Sequence, residues 1–242
     1  MRVAVVSDIH SNLHALEAVL AAIEAEAPDE LWCLGDLVGY GPRPNECCGA
    51  IAERADVCLA GNHDLAVRGT IDLEEFGGEA EVAARWTRDV LEPQAQELLD
   101  RLEPVGAAHG VALYHGSARD PIWEYVLSDE VALATLELTD SQLVLVGHSH
   151  VALRVVQSED ALEGGVAPAG TELELGGARA LLNPGSVGQP RDGDPRAAYL
   201  LLDLDARHAT FGRVEYDVER TQREMREAGL PELLAARLEL GL

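Results

Sequence analysis

Five short apolar runs in the first 150 residues each stop at a loop carrying a carboxylate, an amide or an imidazole. Val3 to Val6 ends at Ser7-Asp8, Leu31 to Leu34 at Gly35-Asp36, and Val57 to Leu59 runs into Gly61-Asn62-His63-Asp64. Val111 to Tyr114 ends at His115, and Leu143 to Val146 at Gly147-His148-Ser149-His150. Runs of this length read as buried strands. In open α/β sheets, ligands gather beyond the carboxyl ends of the strands. The recurrence therefore predicts an α/β chain whose chemistry is assembled along one sheet edge.

The segments between these runs have helical character. After Asn12, a cap residue, Leu13, Leu16, Leu20 and Ile23 recur at helical spacing until Pro28. Further helices are expected over Pro44 to Arg54, over Glu79 to Leu102 with a break at Pro93, and over Asp129 to Leu138. A strand is also expected over Val105 to Ala108, joined to the next by His109-Gly110. Beyond His150 the pattern turns β-like, over Val151 to Val156, Glu172 to Leu175, Ala178 to Leu182, Ala197 to Leu204 and Ala209 to Glu215. These later strands are expected to form a second sheet facing the first. One or two amphipathic helices between Glu219 and Leu240 close the chain, and no linker divides residues 1–242, so a single domain is predicted.

Composition narrows the partners. Against 18 basic side chains stand 43 acidic ones, a formal charge of −25 that repels extended nucleic acid and anionic membrane surfaces. No apolar stretch long enough to span a bilayer and no cleavable leader pattern is visible, which predicts a cytoplasmic protein. Cys33, Cys47, Cys48 and Cys58 form no Cys-x-x-Cys pair and read as reduced, core-filling thiols.

The strand-end residues match the needs of a dinuclear hydrolytic site: hard carboxylate oxygens, neutral imidazoles and an amide oxygen on a rigid frame. Asp8 and His10 share one loop, Asp36 arrives from the next strand as a candidate bridge, Asn62 supplies an amide, His115 an imidazole, and His148 with His150 a further pair. Each signal alone is weak. Together, and all at strand ends, they define one constellation.

The ordered series Asp8-x-His10, Gly35-Asp36-x-x-Gly39, Gly61-Asn62-His63-Asp64, His115 and Gly147-His148-Ser149-His150 resembles the calcineurin-like metallophosphoesterases. The length, and the Asn183 to Pro190 segment, resemble their compact bacterial and archaeal phosphodiesterase branch. The resemblance implies a four-layer α/β/β/α sandwich and two divalent ions, manganese, iron or zinc. Asp8, His10, Asp36 and His150 would surround one ion, and Asp36, Asn62, His115 and His148 the other. A hydroxide held between the two would attack phosphorus. His63 would serve as general acid or transition-state stabiliser, oriented by Asp64.

The expected substrate is a small-molecule phosphodiester. The alternatives are a broad phosphomonoesterase, a dinucleoside-polyphosphate hydrolase and an inactive scaffold like a retromer subunit similar to this family, against which the presence of His63 argues. Tyr40, Arg43 and Asn45 lie on a proline-broken loop that lacks the third glycine of a dinucleotide fingerprint, and are candidate substrate contacts. Trp123, after His115, offers a stacking surface, and Arg191 a cation for phosphate. Oligomeric state is not legible.

Overall fold

A computed structural model describes residues 1–158 and 161–242. The first half runs β1 (Arg2–Val6), α1 (Leu13–Glu26), β2 (Glu30–Cys33), α2 (Pro44–Arg54), β3 (Val57–Cys58), α3 (Asn62–Val67), α4 (Gly78–Val90), α5 (Pro93–Leu99), β4 (Val105–Ala108) and β5 (Val111–Tyr114). It continues through α6 (Asp129–Glu137), β6 (Leu143–Leu145), β7 (Ala152–Gln157), β8 (Leu162–Val166), β9 (Glu172–Glu174), β10 (Arg179–Pro184), β11 (Ala197–Asp203), β12 (His208–Val214), α7 (Val218–Glu227) and α8 (Glu232–Ala236). No helix among the described residues is long and apolar enough to cross a membrane.

Two six-stranded sheets result, in the orders β3-β2-β1-β11-β12-β9 and β4-β5-β6-β10-β7-β8. Strands β1, β2 and β3 are mutually parallel, as are β5, β6 and β10. Because side chains alternate along a strand, each run serves two cores. Val3 and Val5 of β1, Trp32 of β2 and Phe211 of β12 face the opposite sheet, where they share a core with Leu113, Leu145 and Leu182. Ala4, Val6 and Cys33 face outward onto Leu16, Val19 and Ile23 of α1 and onto Cys47 and Ile51 of α2. On the far side, Val144 and Leu181 pack against Ala132 and Leu136 of α6. The layers are therefore helix, sheet, sheet, helix, as the resemblance implied, with β1, β2, β6 and β10 buried on both faces. Burying a side chain of the Val, Leu or Phe class is worth about 1.5–3 kcal/mol.

One expectation is corrected. The strands after His150 do not make a sheet of their own: β9, β11 and β12 extend the sheet of β1, while β7, β8 and β10 complete the sheet of β6. Alternation identifies a strand but not its neighbour, and β11 pairs antiparallel with β1, Val3 opposite Leu202, across most of the sequence.

The break at Pro93 separates α4 from α5 as expected. Asn12 caps α1 as expected, accepting from the Ala15 amide at 3.2 Å.

Candidate functional site

The ends of β1, β2, β3, β5 and β6 deliver their loops to one place. Asp8, His10, Asp36 and His150 form one group of donor atoms within 4.8 Å of one another, and Asp36, His115 and His148 form a second that shares Asp36. All six are buried. Asp36 Oδ1 accepts from the His63 amide at 2.9 Å. Its Oδ2 has no hydrogen-bond partner among the described residues. That oxygen lies 3.5 Å from His10 Nε2 and 3.5 Å from His115 Nε2, between the two groups.

Backbone carbonyls fix the tautomers. A carbonyl only accepts, so a ring nitrogen beside one carries the proton and leaves the other nitrogen as a lone pair. His10 Nδ1 lies 3.1 Å from Val38 O, His115 Nδ1 2.9 Å from Leu34 O, and His150 Nδ1 2.6 Å from Gln189 O. His148 is turned the other way, its Nε2 3.2 Å from Trp123 O, which leaves Nδ1 for coordination.

The consequence is acceptor against acceptor. His10 Nε2 stands 2.9 Å from His150 Nε2, and His115 Nε2 stands 3.2 Å from Asn62 Oδ1, with no proton to share. Donors bound to a cation at about 2.0–2.2 Å sit roughly 3–3.5 Å apart, so divalent ions fit both groups.

Burial drives the protonation equilibria. It pushes the Asp8 carboxyl up to about 7 and Asp36 well above the usual carboxylate range. It holds His10, His115 and His150 well below the usual imidazole range and lowers His148 to about 4. The imidazoles are thus already neutral near pH 7, and protons compete with cations chiefly at the carboxylates. Divalent-ion affinity is expected to tighten as pH rises through about 7 and then level off, which calorimetric titration at several pH values measures. The raised Asp8 pKa contributes ion-free stability that is lost as pH rises from about 4 to about 7, while the lowered imidazole pKa values contribute in the opposite sense below about 6.5.

The backbone is bent to make this arrangement. Asp8 (φ 55°), His10 (φ 49°), Asp36 (φ 53°), Tyr40 (φ 56°), His148 (φ 64°) and His150 (φ 59°) all occupy the left-handed region, which is costly for residues with a Cβ. Gly61 is required by close approach, since a Cβ there would fall 1.9 Å from Asp36 Oδ1. A loop absent from the ligand set locks the others: the Asn183 amide donates to Gly147 O at 2.7 Å, and Ser186 Oγ donates to Asp8 O at 2.7 Å. Their signal in the sequence is the Asn-Pro-Gly-Ser segment that ends β10 and begins the loop after it.

His63 is buried, with its ring 4.9 Å from that of His10 and packed between Tyr40 and Phe76. Asp64 does not orient it. Its oxygens accept from the Val38 amide at 3.1 Å and the Gly61 amide at 2.9 Å, while His63 Nδ1 has no partner among the described residues. Asp64 therefore ties the β2 and β3 loops together, and α3, begun by Asn62 inside the expected loop, presents His63. Burial keeps His63 well below the usual imidazole range.

The candidate substrate contacts divide. Tyr40 lies 4.5 Å from the His10 ring and its hydroxyl is 3.2 Å from the Arg191 guanidinium, which also bonds Gln189 Oε1 at 2.8 Å. Arg43 and Asn45 are occupied elsewhere, a correction to the expectation. Arg43 pairs with Glu224 at 2.9 Å and Glu46 at 3.1 Å, and the Asn45 amide bonds Val90 O and the Glu92 amide. Trp123 contributes its carbonyl to His148 and packs its ring on Phe76 at 5.3 Å. The ring stacked on His148, at 4.2 Å, belongs instead to Tyr125.

The family model for the calcineurin-like phosphoesterase superfamily domain matches residues 1–207. An uncharacterized protein of Methanocaldococcus jannaschii is 38% identical over 99% of this chain and 98% of its own length. The crystal structure of a metallophosphoesterase from Sphaerobacter thermophilus superposes with a TM-score of 0.91 at 42% identity, covering 100% of this chain and 99% of that one. A symmetrical bis(5'-nucleosyl)-tetraphosphatase of Pseudomonas fluorescens is 32% identical over 49% of this chain and 43% of its own length.

Proposed function

The chain belongs to the calcineurin-like phosphoesterase superfamily and is a phosphoesterase; from that premise we propose that it hydrolyses small-molecule phosphodiesters with two divalent cations, manganese, iron or zinc. The observation that carries the reading is the set of buried acceptors facing one another: Asp36 Oδ2 without a partner, and His10 Nε2 at 2.9 Å from His150 Nε2. Asp8, His10, Asp36 and His150 would hold one ion, and Asp36, Asn62, His115 and His148 the other.

Bound cations would supply Lewis acidity toward phosphoryl oxygens and a lowered pKa for water. The remaining work falls to side chains. His63, neutral in its buried setting, donates an N–H to an oxygen of the reacting phosphate as charge develops there. Arg191, its guanidinium held by Gln189 and Tyr40, offers a fixed cation to a second oxygen. Asp64 keeps the His63 loop in register with the Asp36 loop through the Gly61 and Val38 amides.

The test is a panel run with metal-reconstituted protein. Bis(p-nitrophenyl) phosphate should be cleaved faster than p-nitrophenyl phosphate. The reverse order would replace the diester reading by a monoesterase, and stoichiometric metal with no hydrolysis of any phosphoester would favour a scaffold. A second reading, dinucleoside-polyphosphate hydrolysis, is favoured by the likeness to the Pseudomonas fluorescens tetraphosphatase over 49% of this chain.

A further inference from the structure

Two guanidinium groups near the Asp/His cluster lack an acidic partner among the described residues. Arg191 makes no ion pair among the described residues, and neither does Arg237, in a chain with 43 acidic side chains available to them. Arg191 bonds Gln189 Oε1 through Nε at 3.2 Å and through its terminal nitrogen at 2.8 Å. Arg237 reaches the same oxygen at 3.5 Å. Its Nε is buried and has no hydrogen-bond partner among the described residues, and the same holds for Gln189 Nε2. Gln189 is 1% exposed, and its main-chain oxygen holds the His150 ring at 2.6 Å, so this cluster adjoins a candidate ligand directly.

Partly desolvated cations held near each other cost free energy unless an anion joins them. Burial, then the Arg191 charge, pushes Arg237 below its ordinary range. Glu79 and Tyr40 act on it at longer range without forming an ion pair. The turn that carries Arg237 (Arg237–Glu239) follows α8, whose Leu234 and Ala235 pack with Met225 of α7 and Ala83 of α4 around Tyr40. This segment lies beyond residues 1–207, the span matched by the family model.

We propose that Arg191 and Arg237, bridged by Gln189, form a subsite for a second phosphate beside the scissile one, so that preferred substrates are phosphoesters carrying a further phosphate. The proposal rests on the reading that the Asp/His cluster takes the scissile phosphate. Arg191 contacts both, bonding the Tyr40 hydroxyl whose ring packs on His10 and sharing Gln189 Oε1 with Arg237. The forked guanidiniums and the free amide N–H of Gln189 supply the donors that the three oxygens of a terminal phosphate need.

Binding separates this proposal from the reaction assignment. Inorganic pyrophosphate and inorganic phosphate are titrated into manganese-loaded wild type, Arg237→Gln and Arg237→Lys by calorimetry. Chelation in solution is common to all three proteins and cancels in the ratios. Arg237→Gln should weaken pyrophosphate about tenfold or more, as expected for a lost charge-assisted hydrogen bond, and phosphate less than about threefold. Arg237→Lys should fall between wild type and Arg237→Gln for pyrophosphate. Equal losses for both anions, or none for either, would overturn the subsite. Failure of the protein to hydrolyse any ester would leave these ratios unaffected. If Arg237→Gln does not fold, the Arg237→Lys ratio alone decides.

Discussion

Asp36→Asn is expected to lose both cations and roughly 10³-fold or more in turnover. Lewis-acid stabilisation is worth several kcal/mol, and about 1.36 kcal/mol is tenfold in rate. Asp36 is the residue common to both donor groups, with Oδ2 at 3.5 Å from an imidazole nitrogen of each. The amide keeps the shape and, through Oδ1, the hydrogen bond from the His63 amide at 2.9 Å, so the effect isolates the bridging charge. A control of opposite sign accompanies it. Burial already pushes this carboxyl well above its usual range, so a neutral side chain should leave the ion-free protein as stable as wild type or more so. Metal analysis, turnover and ion-free melting are measured on the same preparation. Retained metal with turnover within tenfold of wild type would show that the ions do not share Asp36.

His63→Ala should separate chemistry from metal binding. Its ring approaches His10 at 4.9 Å, and its nitrogens bond no other side chain among the described residues. Removing a donor aimed at developing charge costs roughly 10²–10³-fold in kcat, with metal content unchanged and KM moved far less. Added imidazole should restore part of the loss. A variant that loses metal and turnover in parallel would place His63 among the structural supports instead.

Much of this centre is legible in the sequence because strand ends are. A buried apolar run that stops at Asp8, Asp36, His115 or His148 announces where the backbone leaves the sheet, and the sheet edge does the gathering. Contacts made by atoms rather than residue types are not legible in that way. The family resemblance implies that Asp64 serves His63, yet its oxygens are taken by two backbone amides. Arg43 and Asn45 sit beside Tyr40 in the chain, but α2 carries them to Glu224 and to the α4–α5 connection. Pairing across the sheets was equally hidden, since β10 and β11 are both short apolar-rich runs and enter different sheets. The strand β8, with Gly164 and Gly165 at an exposed edge, carries too little apolar signal to be read at all. Arg237 is one charge on a mixed helical segment, and only the packing of α8 on α7 places it beside Gln189.

The left-handed backbone of the candidate ligands sets two selective pressures against each other. Asp8, His10, Asp36, His148 and His150 hold φ values of 49° to 64°, where glycine is at ease and a side chain is not. Glycine at any of them would relax the main chain while deleting a donor. Stability and catalysis therefore pull these five positions in opposite directions. A lineage released from the need to bind metal would be drawn downhill, away from aspartate and histidine, at the very sites where this chain retains them.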